Sequence, residues 1–149
     1  MFGKLKKMEK GECRKFSERT KLRLPEDYRK FLMESNGMVF YDGNIGFCLK
    51  GERNSIYMNE LLGIGSKESK SGADIIGVFT CHEEEIPANM IIIGETIETG
   101  KILLDCGEEE SGIYLWDCDR VLCQSREGNC IYKVANSFEE FMGKLHRVA

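Results

Sequence analysis

The chain has 149 residues, with Lys+Arg 21 against Asp+Glu 25 and a formal net charge of −4. That figure hides a split: residues 1–30 hold 11 basic and 5 acidic side chains, whereas residues 31–149 hold 10 and 20, and positions 83–119 carry 11 carboxylates against one base, Lys101. An acidic segment behind a basic arm argues against a nucleic-acid binder, which shows one dominant basic face, and leaves room for a partner that is itself basic.

The length suits a single domain spanning residues 1–149, and 42% apolar with 31% charged residues is enough to bury a core. No apolar run approaches the roughly 20 residues that span a bilayer, so no membrane role is expected. The basic start is not followed by the apolar stretch of a secretory signal. Seven cysteines without an export signal read as reduced thiols in a cytoplasmic protein.

The basic arm, residues 1–20, shows a weak helical stripe (Leu5, Met8, Phe16) interrupted by Gly3 and Gly11, which predicts a short or broken helix up to about Leu22. The next element is clearer. Pro25 suits a first helical position and Glu26 and Asp27 complement the helix dipole; Leu24, Tyr28, Phe31 and Leu32 make the apolar stripe. Asn36 and Gly37 then supply a stop. Short apolar runs at 38–41, 45–49 and 61–64, separated by turn residues, read as strands. Ile75, Ile76, Phe79 and His82 favour a helix within 73–85, ended before Ile86 and Pro87.

The second half reads as a meander: strands at 90–97, 101–105, 113–116, 121–123 and 131–134, with turns at Thr99-Gly100, 117–120 and Gly128-Asn129. At the end Ser137 and Glu140 form a capping box. Phe138, Phe141, Met142 and Leu145 follow at helical spacing, with Lys144, His146 and Arg147 in the expected last turn. Helices at both ends of an antiparallel sheet define an α+β fold.

Taken in order, these landmarks resemble the SUKH superfamily, which includes yeast cell-wall-assembly regulators and many bacterial immunity proteins. The resemblance runs from Leu24-Pro25-Glu26-Asp27-Tyr28 through Phe31-Leu32 to Asn36-Gly37. It continues with Ile86-Pro87 leading into residues 91–94, then Gly100, Ile102 and Leu104-Asp105. It closes with Gly112, Tyr114, Trp116-Asp117 and Ser137-Phe138-Glu139-Glu140-Phe141, covering about residues 20–145. The resemblance implies one domain with helices on one side of a bent antiparallel sheet. It also implies a binding role, with many bacterial members protecting their cell by binding a toxin, often a nuclease. It supplies no catalytic residues.

Most matched residues have a structural explanation. Tyr28, Phe31, Phe138 and Phe141 are expected in the core, and Gly37 and Gly100 at positions of special backbone conformation. Trp116, the sole tryptophan, suits either the core or an interface anchor. The cysteines, at 13, 48, 81, 106, 118, 123 and 130, show no C-x-x-C spacing. Cys123 and Cys130 flank a predicted turn, and a metal site from Cys106, Cys118, Cys123 and Cys130 is the minor alternative to buried thiols acting as small hydrophobes. Cys81 and His82 are neighbours whose side chains diverge by about 100° on a helix, a poor nucleophile–base pair. No cofactor and no metal are expected.

The acidic runs remain: Glu83, Glu84 and Glu85 at the end of the middle helix, Glu108, Glu109 and Glu110 in a loop, and Asp117 and Asp119 around the next turn. They read either as a solvated surface or, with Trp116, as a patch complementary to a basic partner. The resulting expectation is a non-enzymatic cytoplasmic immunity protein that neutralises a cognate toxin, a basic nuclease domain for example, without touching nucleic acid or membrane. A regulatory scaffold like the eukaryotic relatives is the second reading, and a thiol-linked metal or redox protein the third.

Overall fold

The computed structural model describes the backbone of residues 2–4 and, with side chains, residues 11–65, 74–107, 112–119 and 130–147. The element order is β1 (Phe2–Lys4), α1 (Glu12–Thr20), α2 (Glu26–Glu34), β2 (Met38–Phe40), β3 (Ile45–Phe47), β4 (Ile56–Leu61), α3 (Ile75–His82), β5 (Met90–Thr96), β6 (Lys101–Asp105), β7 (Ile113–Trp116), β8 (Ile131–Ala135), α4 (Phe138–Lys144) and β9 (His146–Arg147). The strands form one curled antiparallel sheet in the order β1-β2-β4-β5-β6-β7-β8, with β3 set between β4 and β9. Helix α3 lies against β5 and α4 against β8, while α1 meets α3 and α2 meets α4. This is the expected α+β architecture.

The curl originates in β4. Its first half pairs with β3 (Gly46↔Tyr57, Phe47↔Ile56) and its second with β2 (Met38↔Leu61, Val39↔Glu60), while its other edge serves β5. The register against β5 shifts between Met58 and Glu60, and an extra residue of this kind bends a strand and raises its twist. Further shifts occur in the β5–β6 and β7–β8 ladders. In β5 and β6 the apolar run is continuous, because Ile91, Ile92, Ile93, Ile102, Leu103 and Leu104 are all fully buried. Strands with both faces covered read as unbroken apolar runs rather than as alternation.

Helix α2 follows the expected stripe. Tyr28 and Leu32 are fully buried, and Tyr28 meets Phe138 of α4 edge-on with ring centroids 4.8 Å apart. Phe31 is half-buried against the same Phe138 ring, 5.0 Å away. Pro25 stands just before the helix as its N-cap, and Gly37 takes a φ of 109°, the left-handed region that glycine enters without steric cost.

Several expectations need correction. The basic arm contains the three-residue strand β1 and then α1, whose N-cap Gly11 has a φ of 91°; the glycine starts this helix rather than breaking it. The apolar run at 61–64 is mostly not a strand, since β4 ends at Leu61 and its polar members Asn59 and Glu60 break the apolar pattern over the strand itself. The last helix stops at Lys144 because Leu145 is extended (φ −68°, ψ 130°), and His146 and Arg147 pair with β3 instead of closing a helix. Gly100 has no positive φ; it is small because a Cβ would sit 2.8 Å from Leu115 Cδ1 and 2.9 Å from Thr96 Oγ1. The strand expected at 121–123 lies outside the described residues.

Candidate interaction face

The middle helix carries the first acidic run, and a series of hydrogen bonds fixes where it starts. The buried Asn36 carboxamide accepts from the Ile64 N–H and donates to the Ile64 carbonyl, both at 2.9 Å. One residue earlier the Gly63 carbonyl accepts from Ile75 N–H at 2.9 Å, at the first turn of α3. Asp74 caps that helix: one carboxylate oxygen accepts from Gly77 N–H at 2.8 Å and the other from Gly65 N–H at 3.0 Å. Gly63 must be glycine, because an added Cβ would run into the Asn36 carbonyl. The Asn36-Gly37 stop of α2 is thus also a clasp that sets the start of α3.

From that start α3 runs along β5 and delivers its last residue to β7. The His82 ring meets Trp116 edge-on, with centroids 5.8 Å apart and planes at 80°. Glu83, Glu84 and Glu85, all exposed, follow at the helix's C-terminal end, where the helix dipole disfavours carboxylates. Two of the three are offset by the chain itself. Arg19 of α1 reaches Glu83 at 3.4 Å while its guanidinium lies 5.5 Å above the Phe79 ring, and Glu85 approaches His82 Nδ1 at 2.9 Å. Such exposed pairs contribute well under about 1 kcal/mol each, so the cluster still presents negative charge.

Beside it lies a row of cross-strand neighbours. Glu95, Lys101, Trp116 and Ile131 stand opposite one another on β5, β6, β7 and β8, and Lys101 Nζ bonds Glu95 Oε1 at 2.8 Å. Residues two apart on a strand share a face, so Tyr114 and its opposite number Lys133 extend the same surface; Lys133 Nζ lies 6.0 Å from the Tyr114 ring centroid. Tyr114, Trp116 and Ile131 are half-buried and Lys133 is exposed. Trp116 is therefore neither a sealed core residue nor a free anchor. It is packed on one side and open on the other.

The remaining acidic positions divide. Asp119 is exposed. Asp117 is only 3% exposed, and its carboxylate accepts from Thr99 Oγ1 at 2.8 Å and from Asp119 N–H at 3.1 Å. Its charge serves the turn and ties the β5–β6 connection to the exit of β7, a positioning role rather than display to a partner. Glu108, Glu109 and Glu110 lie outside the described residues.

The cysteines depart from the expected reduced thiols. Cys118 and Cys130 are joined by a disulfide, with Cα atoms 4.8 Å apart, and Cys123 lies outside the described residues. The chain ends brought together there are those of β7 and β8, so Cys118, not Cys123, faces Cys130. Cys48 and Cys81 are exposed, not buried hydrophobes, whereas the half-buried Cys13 and Cys106 pack against the core as small apolar groups. Burial, and secondly the Asp105 carboxylate, pushes the Cys106 thiol up to about 12. Among the described residues no group of three or more His, Cys, Asp or Glu is placed to hold a metal ion.

Sequence reading names Glu83 and Trp116 separately and misses what surrounds them: Arg19, the Tyr114–Lys133 pair and the Cys118–Cys130 bond. The alternation of Tyr114 with Trp116 and of Ile131 with Lys133 carries that signal once the two strands are paired. The described helices packed on a curled antiparallel sheet make an α+β domain, and its sequence pattern is that of the SUKH superfamily. The chain belongs to the SMI1 / KNR4 family (SUKH-1), whose pattern matches residues 9–144 and so takes in α1. No curated protein matches it.

Proposed function

We propose that this chain is a non-enzymatic bacterial immunity protein that acts in the cytoplasm, binding a cognate toxin with a basic nuclease domain and neutralising it one to one. It works without a cofactor and does not itself engage nucleic acid or membrane; no helix among the described residues is long and apolar enough to cross one. The observation that carries the reading is the grouping of exposed Glu83, Glu84 and Glu85 with half-buried Trp116 and Tyr114 at one end of the sheet. Carboxylates steer a basic partner, and desolvated aromatics hold it. Family membership supports a binding role, and the implied toxin partner supplies the basic surface.

The test is the association rate, across salt concentrations, of any basic nuclease domain found encoded beside this chain's gene. Glu83→Lys, Glu84→Lys and Glu85→Lys together should slow association by roughly tenfold or more at low salt and flatten its salt dependence. An unchanged rate at every salt concentration removes this face from the mechanism. A regulatory scaffold resembling the eukaryotic relatives would use the same face on several cellular proteins. Recovery of such proteins, with no protection against the neighbouring gene product, would favour that second reading.

A further inference from the structure

We propose that Cys118 and Cys130 are a reversible dithiol–disulfide couple that exchanges with low-molecular-weight thiols and disulfides and controls how firmly the Trp116 face is held. The backbone brings the two sulfurs together. Trp116 and Ile131 are the last paired residues of β7 and β8, and Asp117 N–H donates to the Cys130 carbonyl at 2.9 Å just beyond them. The Cα separation of 4.8 Å falls inside the disulfide range of about 4.4–6.8 Å. Because the ladder sets that distance, the two thiols remain neighbours when the bond is open. The forward and reverse reactions therefore both start from a pre-arranged pair.

Access favours exchange as well. Cys118 is exposed and Cys130 half-buried, so an incoming thiolate reaches the Cys118 sulfur from solvent. Exposed disulfides are the labile and regulatory ones, whereas sealed structural bonds resist reduction. The half-buried Cys106 is unsuited to the same role, since its raised thiol yields almost no thiolate at neutral pH.

The chemistry balances as two successive exchanges. The Cys118 thiolate attacks a sulfur of a small disulfide such as oxidised glutathione, releasing one glutathione thiolate and leaving a mixed disulfide on Cys118. The Cys130 thiolate then attacks the Cys118 sulfur, forming the internal bond and expelling the second glutathione. The protein gives up two protons and two electrons, and the small disulfide takes them up as two thiols. Reduction by glutathione follows the same steps backwards.

What the bond controls is local. Cys118 sits between Asp117, whose carboxylate holds Thr99, and Asp119, whose N–H returns to that carboxylate. The disulfide clamps this turn to the start of β8, two residues from Trp116. Opening it removes the covalent tie between this turn and the start of β8 and gives Trp116 more freedom against His82. The couple works whatever partner the face binds, and its readouts involve no partner, so failure of the immunity reading leaves it standing.

The experiment equilibrates the intact protein in glutathione buffers of graded ratio, quenches with an alkylating agent, and reads alkylated mass alongside Trp116 fluorescence. The expected result is a single two-thiol transition that maps to Cys118 and Cys130, with the emission maximum moving in step by several nanometres. Cys118→Ser should abolish both signals, while Cys123→Ser should leave both in place. A pair that stays fully alkylated at every ratio, or a bond that maps to Cys123, overturns the proposal. So does a bond that forms without any change in Trp116 emission.

Discussion

Replacing Asn36 with alanine removes the two hydrogen bonds that join the end of α2 to the chain entering α3. Both are 2.9 Å long, and their partners, the N–H and carbonyl of Ile64, belong to a residue that is fully buried. Alanine offers neither an acceptor for the Ile64 N–H nor a donor for its carbonyl, so both backbone groups lose the partner they have in the natural chain. An unsatisfied buried donor or acceptor costs about 1–3 kcal/mol, which puts the loss of both at roughly 2–6 kcal/mol out of a typical total of about 5–15 kcal/mol. Urea unfolding followed by Trp116 fluorescence measures it directly. With a slope of about 2 kcal/mol per molar, the middle of the usual range, the midpoint should fall by roughly 1–3 M. Asn36→Asp keeps an acceptor for the Ile64 N–H but sets a carboxylate against the Ile64 carbonyl, so it should do no better than alanine. A midpoint unchanged in Asn36→Ala would refute the clasp, and with it the account of how α3 is started.

Three further outcomes test other parts of the structure. The Glu140 carboxyl lies below its ordinary value of about 4.5, chiefly because the Asn136 N–H bonds it at 3.0 Å and secondly because of Lys144. A depressed carboxyl stabilises the fold above its ordinary value and loses that contribution as pH falls through the folded value, so the stability gap between the natural chain and Glu140→Gln should hold at neutral pH and close below about 4.5; a gap that widens in acid would reverse the reasoning. Gly100→Ala forces a methyl against Leu115 and Thr96, overpacking worth about 1–3 kcal/mol, and calorimetry should record a Tm lower by roughly 3–10 °C. Under native conditions an alkylating agent should label the exposed Cys48 and Cys81 quickly and Cys106 slowly, because burial holds its thiol near 12; equal rates read by peptide mass would contradict that burial.

The sequence carried the elements whose patterns are local. Lys101–Asp105 and Ile113–Trp116 occupy their expected bounds, and the Ser137 side chain accepts from Glu140 N–H at 3.0 Å as a capping box should. The reciprocal arm differs by one position, since Glu140 takes the Asn136 N–H rather than that of Ser137. What escaped the sequence depends on pairing between distant segments. His146 and Arg147 continue a helical pattern in charge, yet β3 captures them through Ile45↔Arg147 and Gly46↔His146. Asp117 looks like one more surface carboxylate until the β5–β6 connection brings Thr99 onto it from 18 residues away. The same holds at the candidate face, where Glu83 is legible as acidic but its counter-charge Arg19 comes from 64 residues earlier. Charge and period can be read along a chain; the choice of partner is made by the curl of the sheet.

The central hairpin of β5 and β6 has a further consequence. Its apolar run from Met90 to Ile93 and the facing Ile102, Leu103 and Leu104 combine high β propensity with no charge and no proline, the profile of a segment that stacks into fibrils when exposed. Protection comes from position, because both strands sit inside the sheet with neighbours on each edge. Glu95, Lys101 and Asp105 stand at the ends of the run as gatekeepers. Any variant or partly folded form that peels β4 or β7 away uncovers an adhesive edge. Loss of the clasp or of the Asp117 turn should therefore show first as aggregation during heating, before the bulk of the secondary structure melts.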